Sequence, residues 1–500
     1  MRKYLCFLCI FGACLALPVS AAIKLPHIFG DHMVLQSGVK ASIWGTADAG
    51  EQVTVLFAGQ KKTTAADAAG RWSVKLDPLA PSNEARDLTV TGKTDEVRLV
   101  DVLVGEVWLC SGQSNMEKPI GEKRGQKPVF NAEEEIRTAD FPQIRLLKIK
   151  KTRADSPTDD VELGAPWSVC SPDTIDAIKF SAAGYFFGRK LHRELNVPVG
   201  LIDSSWGGTR IELWTPPEGF DDEPSLAVFA VASRQPGAKV DRTQPSSIYN
   251  AMIHPLAPYA IRGVIWYQGE SNLIDYGTTG GSTGASDAAY TDKMVALVQG
   301  WRHVWQSDLA FYYVQIAPHF YHVARSSQVI SAEAEPLIWE AQTAAMARLP
   351  HTGMVVTTDL VDDLFDIHPR NKLDVGERLA RWALAHDYAR NDVVYSGPVY
   401  QSMEVKSNLA YLTFEHVHGG LIANDNKPLR WFIIAGEDGV FYPAEAVAEG
   451  GRVIVSSPKV SEPKAVRFAW DEAAQPNLIN RAGLPAVPFR TDAPITQKTK

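Results

Sequence analysis

The sequence has few cysteines, no strong excess of charge of either sign and only one long apolar run. Five of its 500 residues are cysteine, and three of these lie in the first 14 residues, so a disulfide framework does not hold the fold together. We expect the other two, Cys110 and Cys170, to be small buried thiols. The formal net charge of −8, with both signs well mixed, gives no electrostatic footprint for nucleic acid or an anionic membrane surface. The chain is long enough for one large domain with smaller attachments.

The long apolar run lies at the N-terminus. Residues 1–21 contain two basic residues, an apolar stretch to Leu17 and a small-residue end, the pattern of a signal peptide. The stretch is shorter than the ~20 residues of a membrane span. The segment around Cys14 also resembles a lipoprotein cleavage site, which leaves a lipid anchor open. We expect an exported chain, periplasmic or secreted.

Hydrophobic patterning divides the mature chain into three parts. Residues 22–100 and 391–500 alternate apolar and polar positions between turn residues, which predicts a β-sandwich-type module at each end. Residues 101–390 carry continuous apolar runs, typical of strands buried on both faces, with helical patterns between them. The five runs are Val104–Cys110, Val199–Ile202, Gly263–Tyr267, Leu309–Val314 and Met354–Thr357. This alternation indicates a parallel, doubly wound α/β sheet.

Three helices are predicted in this middle part. One carries Phe187 and Leu191 on a single stripe and stops before Pro198, and a second carries Met294 and Trp301. The third follows the fifth run, where residues 374–377 match a capping box that would open a helix through residue 385.

Small and polar residues follow four of the five runs. In an open α/β sheet, ligands bind beyond the carboxyl ends of the strands, so these residues are expected to meet. Ester hydrolysis needs a hydroxyl nucleophile, a base, a group that orients the base, and donors for the oxyanion. The candidates for these parts are, in that order, Ser114, His368, Asp366, and the set Gly208, Gln268 and Asn272.

Each candidate taken alone has a plainer interpretation. A serine after a strand is commonly a helix cap, Asp366 and His368 suit a turn before Pro369, and the glycine and amide segments are typical of loops. The joint placement of all four parts at the ends of four strands favours catalysis.

The stretches GQSNM, SSWGGT, WYQGESN and DIHPRNK resemble the blocks of the SGNH hydrolases, specifically the sialate O-acetylesterase and carbohydrate acetylesterase group. The resemblance covers nearly the whole mature chain, including FSAAGYFFGRKL and NRAGLPAVPFRTD. It implies a flavodoxin-like, three-layer α/β/α domain with a parallel sheet, flanked by the two β modules. It also implies an acyl-enzyme mechanism that needs no metal or organic cofactor.

The resemblance places the nucleophile on Ser114, the oxyanion glycine on Gly208 and the acid-base pair on Asp366 and His368. Many SGNH hydrolases have Asp three residues before His, whereas position 365 here is Phe. Asp359, Asp362 and Asp363 therefore stay open as the orienting group, and the oxyanion amide is either Gln268 or Asn272. The predicted substrate-binding residues are Gln113, Trp206, Arg210 and Glu270.

The predicted function is removal of O-acetyl groups from a carbohydrate. The alternatives are a carbohydrate-binding protein with an inactive α/β domain and a lipase-like esterase of the same fold. Sialic acid carries a carboxylate that would favour an arginine such as Arg210, whereas acetylated xylan or xyloglucan would not. The loop 277–286, which follows the third block, is expected to shape that choice.

Overall fold

The computed structural model describes residues 22–235, 237, 240–276, 287–324 and 330–492. The predicted signal peptide and the loop 277–286 lie outside these ranges. Within them, no helix combines the length and the apolar character needed to cross a membrane.

The N-terminal part consists of strands that lead directly into the central sheet. They are β1 (Val34–Gln36), β2 (Ala41–Thr46), β3 (Gln52–Phe57), β4 (Gln60–Ala65), β5 (Arg71–Leu76), β6 (Ser82–Thr91) and β7 (Glu96–Gly112). The first half of β7 pairs antiparallel with β6, while its second half is a central strand of the α/β sheet. The predicted boundary between residues 100 and 101 thus falls inside one continuous strand.

The central sheet has the order β13-β12-β11-β7-β10-β8-β9. Its further strands are β8 (Phe141–Ile149), β9 (Leu163–Cys170), β10 (Val199–Ser205), β11 (Gly263–Tyr267), β12 (Ala310–Val314) and β13 (Thr352–Val355). All neighbours are parallel except β8 and β9. The mixed α/β class with a mostly parallel sheet is confirmed. The strands β8 and β9 were not predicted.

The helices lie among these strands. They are α1 (Ser114–Glu117), α2 (Ala132–Arg137), α3 (Pro172–Ala177), α4 (Ala182–Leu195), α5 (Ala227–Ala232), α6 (Glu270–Tyr276), α7 (Asp287–Trp305), α8 (Tyr321–Ala324), α9 (Ala334–Arg348) and α10 (Lys372–His386). All three predicted helices are present, as α4, α7 and α10. The start of α10 differs from the prediction, because Asn371 caps it by accepting from the Asp374 N–H at 3.1 Å.

Two apolar clusters cover the two faces of the central sheet. Alternate residues of β7 belong to different clusters, with Leu109 on one face and Trp108 on the other. The first cluster includes residues of α7 and α9, and the second includes residues of α4 and α10. Burial on both faces explains why these strands are continuously apolar. Cys110 and Cys170 are buried and free, as predicted.

The C-terminal part is built from short strands. They are β14 (Val399–Lys406), β15 (Leu409–Glu415), β16 (Leu421–Ala423), β17 (Phe432–Ala435), β18 (Phe441–Pro443), β19 (Glu445–Glu449), β20 (Arg452–Ser456), β21 (Ala465–Phe468), β22 (Leu478–Asn480) and β23 (Phe489–Arg490). They form sheets of order β14-β15-β20-β19, β18-β17-β21-β23 and β16-β22. One apolar cluster contains residues of all three sheets, which therefore share a core.

Candidate active site

Ser114 lies on a tight turn at the carboxyl end of β7. The strand ends at Gly112, which has a φ of +132°. A Cβ added to Gly112 would lie 2.2 Å from the Tyr267 carbonyl oxygen, so this position requires glycine. The other serine of this stretch, Ser111, is buried and donates from Oγ to the Ser204 carbonyl at 2.7 Å. Only Ser114 of the two lines a cavity.

That cavity measures about 810 Å³ and lies beyond the carboxyl ends of β7, β10 and β11. Ser114, Gly208 and His368 all line it, so the predicted nucleophile, oxyanion glycine and base meet here. The remaining lining residues are mostly polar or charged: Gln113, Glu117, Lys123, Gln126, Gly207, Arg210, Arg242, Thr243, Ser271, Ile274 and Ile367. With only two large apolar side chains in this set, the cavity suits a polar ligand better than a long acyl chain.

His368 is mostly buried at the edge of the cavity. Its side chain is 17% exposed, and its Nδ1 lies 3.7 Å from Asp366 Oδ1, beyond hydrogen-bond range. Burial, followed by the positive charge of Lys372, lowers the pKa of His368 from 6.5 to about 4, against the opposing effect of Asp366. The imidazole is therefore neutral at neutral pH, the form that accepts a proton.

The aspartates that were left open as partners of the histidine are engaged elsewhere. Asp359 pairs with a guanidinium at 2.7 and 2.6 Å, Asp363 with an ammonium group at 3.0 Å, and Asp362 lies 3.4 Å from a backbone N–H. Among the described residues, Asp366 is the only carboxylate within 4.0 Å of the His368 ring nitrogens. Its orienting role remains the prediction that fits this geometry.

The loop after β10 places the N–H of Gly208 at the cavity. Gly208 has a φ of +74° and open space around its Cα. The preceding Gly207 N–H donates to Glu117 Oε2 at 2.6 Å, which ties this loop to α1. In the part of the chain that the structure describes, no acceptor contacts the backbone N–H of Ser114 or Gly208. Both are therefore open to a ligand.

Glu117 is a buried carboxylate held between two cations. Its Oε1 accepts from Lys123 at 2.7 Å and from Lys151 at 2.5 Å. Burial raises the pKa of Glu117, but these hydrogen bonds outweigh burial and leave it below its usual range. The group stays ionised, so it can keep its hold on Gly207 across the working pH range.

The two amides of the third block do not face the cavity. Gln268 Nε2 donates to Gln113 Oε1 at 3.1 Å, to the Thr209 carbonyl at 3.1 Å and to Asn272 Oδ1 at 2.8 Å. Asn272 Nδ2 donates to both Glu212 oxygens at 3.2 and 3.1 Å. This differs from the expected oxyanion role of either amide, because their donors are already used inside the protein.

Gln113 is the amide side chain that lines the cavity, where Gln268 or Asn272 was expected to donate. Its Oε1 also accepts from the backbone N–H groups of Gly269 at 3.4 Å and Ser271 at 3.1 Å. Its Nε2 has no hydrogen-bond partner among the described residues, and the side chain lines the cavity. Gln113 was predicted as a substrate-binding residue, and its free donor points to the same region.

Asn115 connects three of the loops and was not predicted. Its Nδ2 donates to Glu270 Oε1 at 2.5 Å and to the Ile367 carbonyl at 3.0 Å, next to His368. Its Oδ1 accepts from Lys372 Nζ at 2.8 Å. Both Asn115 and Lys372 lie within motifs quoted above, GQSNM and DIHPRNK, so their positions carried a signal although their role did not.

The other predicted substrate-binding residues are placed differently from one another. Arg210 lines the cavity. Glu270 is fully buried, and burial raises its pKa despite the hydrogen bond from Asn115, so it supports the site from beneath. Trp206 lies outside the cavity lining, and the Arg153 guanidinium covers its ring at 4.0 Å.

Comparison with known proteins gives the site a family. A family model described as carbohydrate esterase, sialic acid-specific acetylesterase matches residues 104–385. The chain is 32% identical to the sialate O-acetylesterase of Homo sapiens, over 78% of this chain and 76% of the human protein, and 30% identical to that of Rattus norvegicus, over 88% of each. This chain belongs to the sialic acid-specific acetylesterase family of carbohydrate esterases.

A solved structure supports the same assignment. A carbohydrate acetylesterase from Xanthomonas citri is 35% identical, with a TM-score of 0.82 over 94% of this chain and 100% of the other. As a member of the acetylesterase family, the chain is a carboxylic ester hydrolase, and the family supports carbohydrate deacetylation. The predicted resemblance is confirmed.

Proposed function

We propose that this chain is an exported serine esterase that removes O-acetyl groups from carbohydrates through an acyl-enzyme on Ser114. One observation carries the proposal: Ser114, the neutral His368 and the free N–H groups of Ser114 and Gly208 meet in one polar cavity. These are the nucleophile, base and donors that ester hydrolysis needs.

In the first step, Ser114 Oγ attacks the acetyl carbonyl carbon while His368 accepts the hydroxyl proton. The oxyanion accepts hydrogen bonds from the Ser114 and Gly208 N–H groups, and Gln113 Nε2 is placed beside Ser114 as a side-chain donor. Collapse of the intermediate breaks the ester bond, and His368 returns the proton to the sugar oxygen that leaves.

In the second step, water attacks the acetyl-enzyme with His368 again acting as base, and acetate departs. Ser114 Oγ makes no hydrogen bond to His368 among the described residues. Such contacts commonly tighten only when substrate binds, so we expect the pair to form in the substrate complex.

We further propose an anionic sugar as substrate. Arg210, Arg242 and Lys123 place positive charge around the cavity, and Glu117 is the only carboxylate among the described residues that line it. A carboxylate such as that of sialic acid gains from this field, whereas neutral acetylated xylan does not. Acetate release from a panel with O-acetylated N-acetylneuraminic acid and acetylated xylan compares the two.

The mechanism is tested with Ser114→Ala and Ser111→Ala side by side. We expect Ser114→Ala to lose p-nitrophenyl acetate hydrolysis by at least about 10³-fold, while Ser111→Ala, outside the cavity, retains it. Activity that persists in Ser114→Ala would overturn the assignment of the nucleophile. An inactive wild type would favour the carbohydrate-binding alternative.

Export and the form of the flanking modules belong to the same proposal. Residues 1–21 have the pattern of a cleaved signal, so N-terminal sequencing of the protein made in its own cell should begin near Ala22. We also propose that residues 22–100 and residues 391–500 form the two β-sandwich-type modules.

A further inference from the structure

Phe365 stands on the loop that carries His368, with its ring turned to solvent. The side chain is 69% exposed, the highest fraction among the large exposed apolar side chains of the described ranges. One exposed apolar side chain is ordinary on a protein surface, so the significance of Phe365 rests on its position. Its position, two residues after Asp363 and three before His368, brings this surface beside the catalytic cavity.

The ring is held in place by its neighbours. The backbone N–H of Phe365 donates to Asp363 Oδ1 at 3.0 Å, and the backbone N–H of Asp366 donates to the Asp363 carbonyl at 3.0 Å. On one side Phe365 contacts Phe320, with ring centroids 5.0 Å apart. The exposed ring is therefore presented from a fixed turn and is ready to bind a flat partner without further ordering.

Phe365 lines a second cavity of about 870 Å³, formed by residues 122–128 on one side and the His368 loop on the other. The two walls are tied together, because Lys127 Nζ donates to Asp363 Oδ2 at 3.0 Å. A second tie runs from Arg370 Nε to the Pro128 carbonyl at 2.9 Å.

The second cavity adjoins the catalytic one. Lys123 and Gln126 line both cavities, and the Gln126 amide nitrogen lies 3.5 Å from His368 Nε2. A ligand that reaches from one cavity to the other therefore passes the base. The wall combines one aromatic face with charged and amide side chains, among them Glu122 and Arg124. This combination matches a sugar ring, which offers an apolar C–H face and a rim of hydroxyl groups.

We propose that this second cavity is a subsite for the sugar residue next to the acetylated one, with Phe365 as the platform on which that ring stacks. The inference rests on the proposed function. It predicts that the enzyme prefers an acetylated residue within an oligosaccharide to the same residue alone, because only the longer substrate reaches Phe365.

The test compares three substrates: p-nitrophenyl acetate, O-acetylated N-acetylneuraminic acid and O-acetylated sialyllactose. We expect Phe365→Ala to lower kcat/KM for the sialyllactose ester about tenfold relative to the monosaccharide ester, mainly through KM, as expected for loss of an aromatic anchor. Phe365→Trp, which keeps a flat face, should restore the ratio.

Val447→Ala is the matched control, since Val447 is a 63% exposed apolar side chain on β19, in the C-terminal part. Val447→Ala should leave the ratio of kcat/KM for the sialyllactose ester to kcat/KM for the monosaccharide ester as in wild type. A Phe365→Ala enzyme that discriminates between the two sugar esters as wild type does would overturn the subsite. A wild type that hydrolyses p-nitrophenyl acetate but neither sugar ester would instead overturn the proposed substrate class, and the subsite with it.

Discussion

The pH dependence of the reaction is the sharpest consequence of the site geometry. In the proposed mechanism, a protonated imidazole cannot accept the Ser114 proton, so kcat/KM should fall as the pH falls through the pKa of His368. That pKa is lowered from 6.5 to about 4, first by burial and then by Lys372. At pH 5.5 a histidine with the ordinary pKa would be about 9% neutral, whereas one with a pKa of about 4 is about 97% neutral. The wild type should therefore keep nearly its full kcat/KM at pH 5.5.

The perturbation is Lys372→Met, which removes the charge and approximates the length of the side chain. Lys372 is fully buried, and burial lowers its pKa to about 7, so it is a cation throughout the acid range where His368 titrates. Without this cation, the pH at which kcat/KM falls to half on the acid side should rise from about 4. It should stay below 6.5, because burial remains the larger cause of the lowered pKa. The lost hydrogen bond to Asn115 should also lower the maximal kcat/KM, but it does not account for a shift of the acid side, or acid limb, of the pH profile.

The assay is kcat/KM for p-nitrophenyl acetate between pH 3.5 and 8, in buffers of constant ionic strength. Lys123→Met serves as the matched control. Lys123 also lowers the pKa of His368, but it is the last of the five causes and its side chain is 30% exposed, so its removal should move the limb less. A wild-type limb near 6.5, or a limb that is the same in Lys372→Met, would refute the electrostatic reasoning.

Three further predictions follow from the contacts around the site. Glu117→Gln should lower kcat for acetyl esters about tenfold, since the hold on the Gly207 N–H loses its charge; an unchanged kcat would contradict this. Asn115→Ala should destabilise the protein by about 3 kcal/mol, because Glu270 and Lys372 then lose a buried partner; thermal unfolding checks it, and an unaltered Tm would count against the network. The polar cavity should hydrolyse acetyl far faster than octanoyl p-nitrophenyl esters, and comparable rates would favour the lipase-like alternative.

The position of the site could be predicted from the sequence because parallel strands end on one edge of a sheet. Continuous apolar runs marked those strands. Ser114 follows the first run closely, and His368 lies in the polar segment after the fifth. The strand β9 was not predicted because Gly164 and Pro166 interrupt its hydrophobic pattern. Proline is tolerated there since β9 is the last strand of the sheet and pairs on one side only. Likewise β7 crosses the expected module boundary, because hydrophobicity does not reveal that one strand serves two sheets.

The partners of the polar groups could not be predicted, since sequence shows which donors exist but not which acceptors they meet. Gln268 and Asn272 look like free amide donors after a strand. In the fold their donors bind Gln113, Thr209 and Glu212, because an unsatisfied amide buried beneath the sheet edge would be costly. Of these three amides, the one that lines the cavity is Gln113, one residue before the proposed nucleophile Ser114.

The buried charges explain how separate loops hold one geometry. Ser114, Gly208 and His368 follow the ends of three strands. Of these, β7 and β10 pair as far as Gly112 and Ser205, whereas β12 and β11 lie between β13 and β7. Asn115 joins the Ser114 loop to the His368 loop through the Ile367 carbonyl. Glu117 joins the Ser114 loop to the Gly208 loop through the Gly207 N–H. Both tethers start within α1, so the single turn that carries Ser114, the proposed nucleophile, is also bonded to the loops of the proposed base and oxyanion glycine. The bond between the Gly207 N–H and Glu117 is charge-assisted, and such bonds are stronger where water is excluded, which fits the burial of Glu117 and Lys372 at the site.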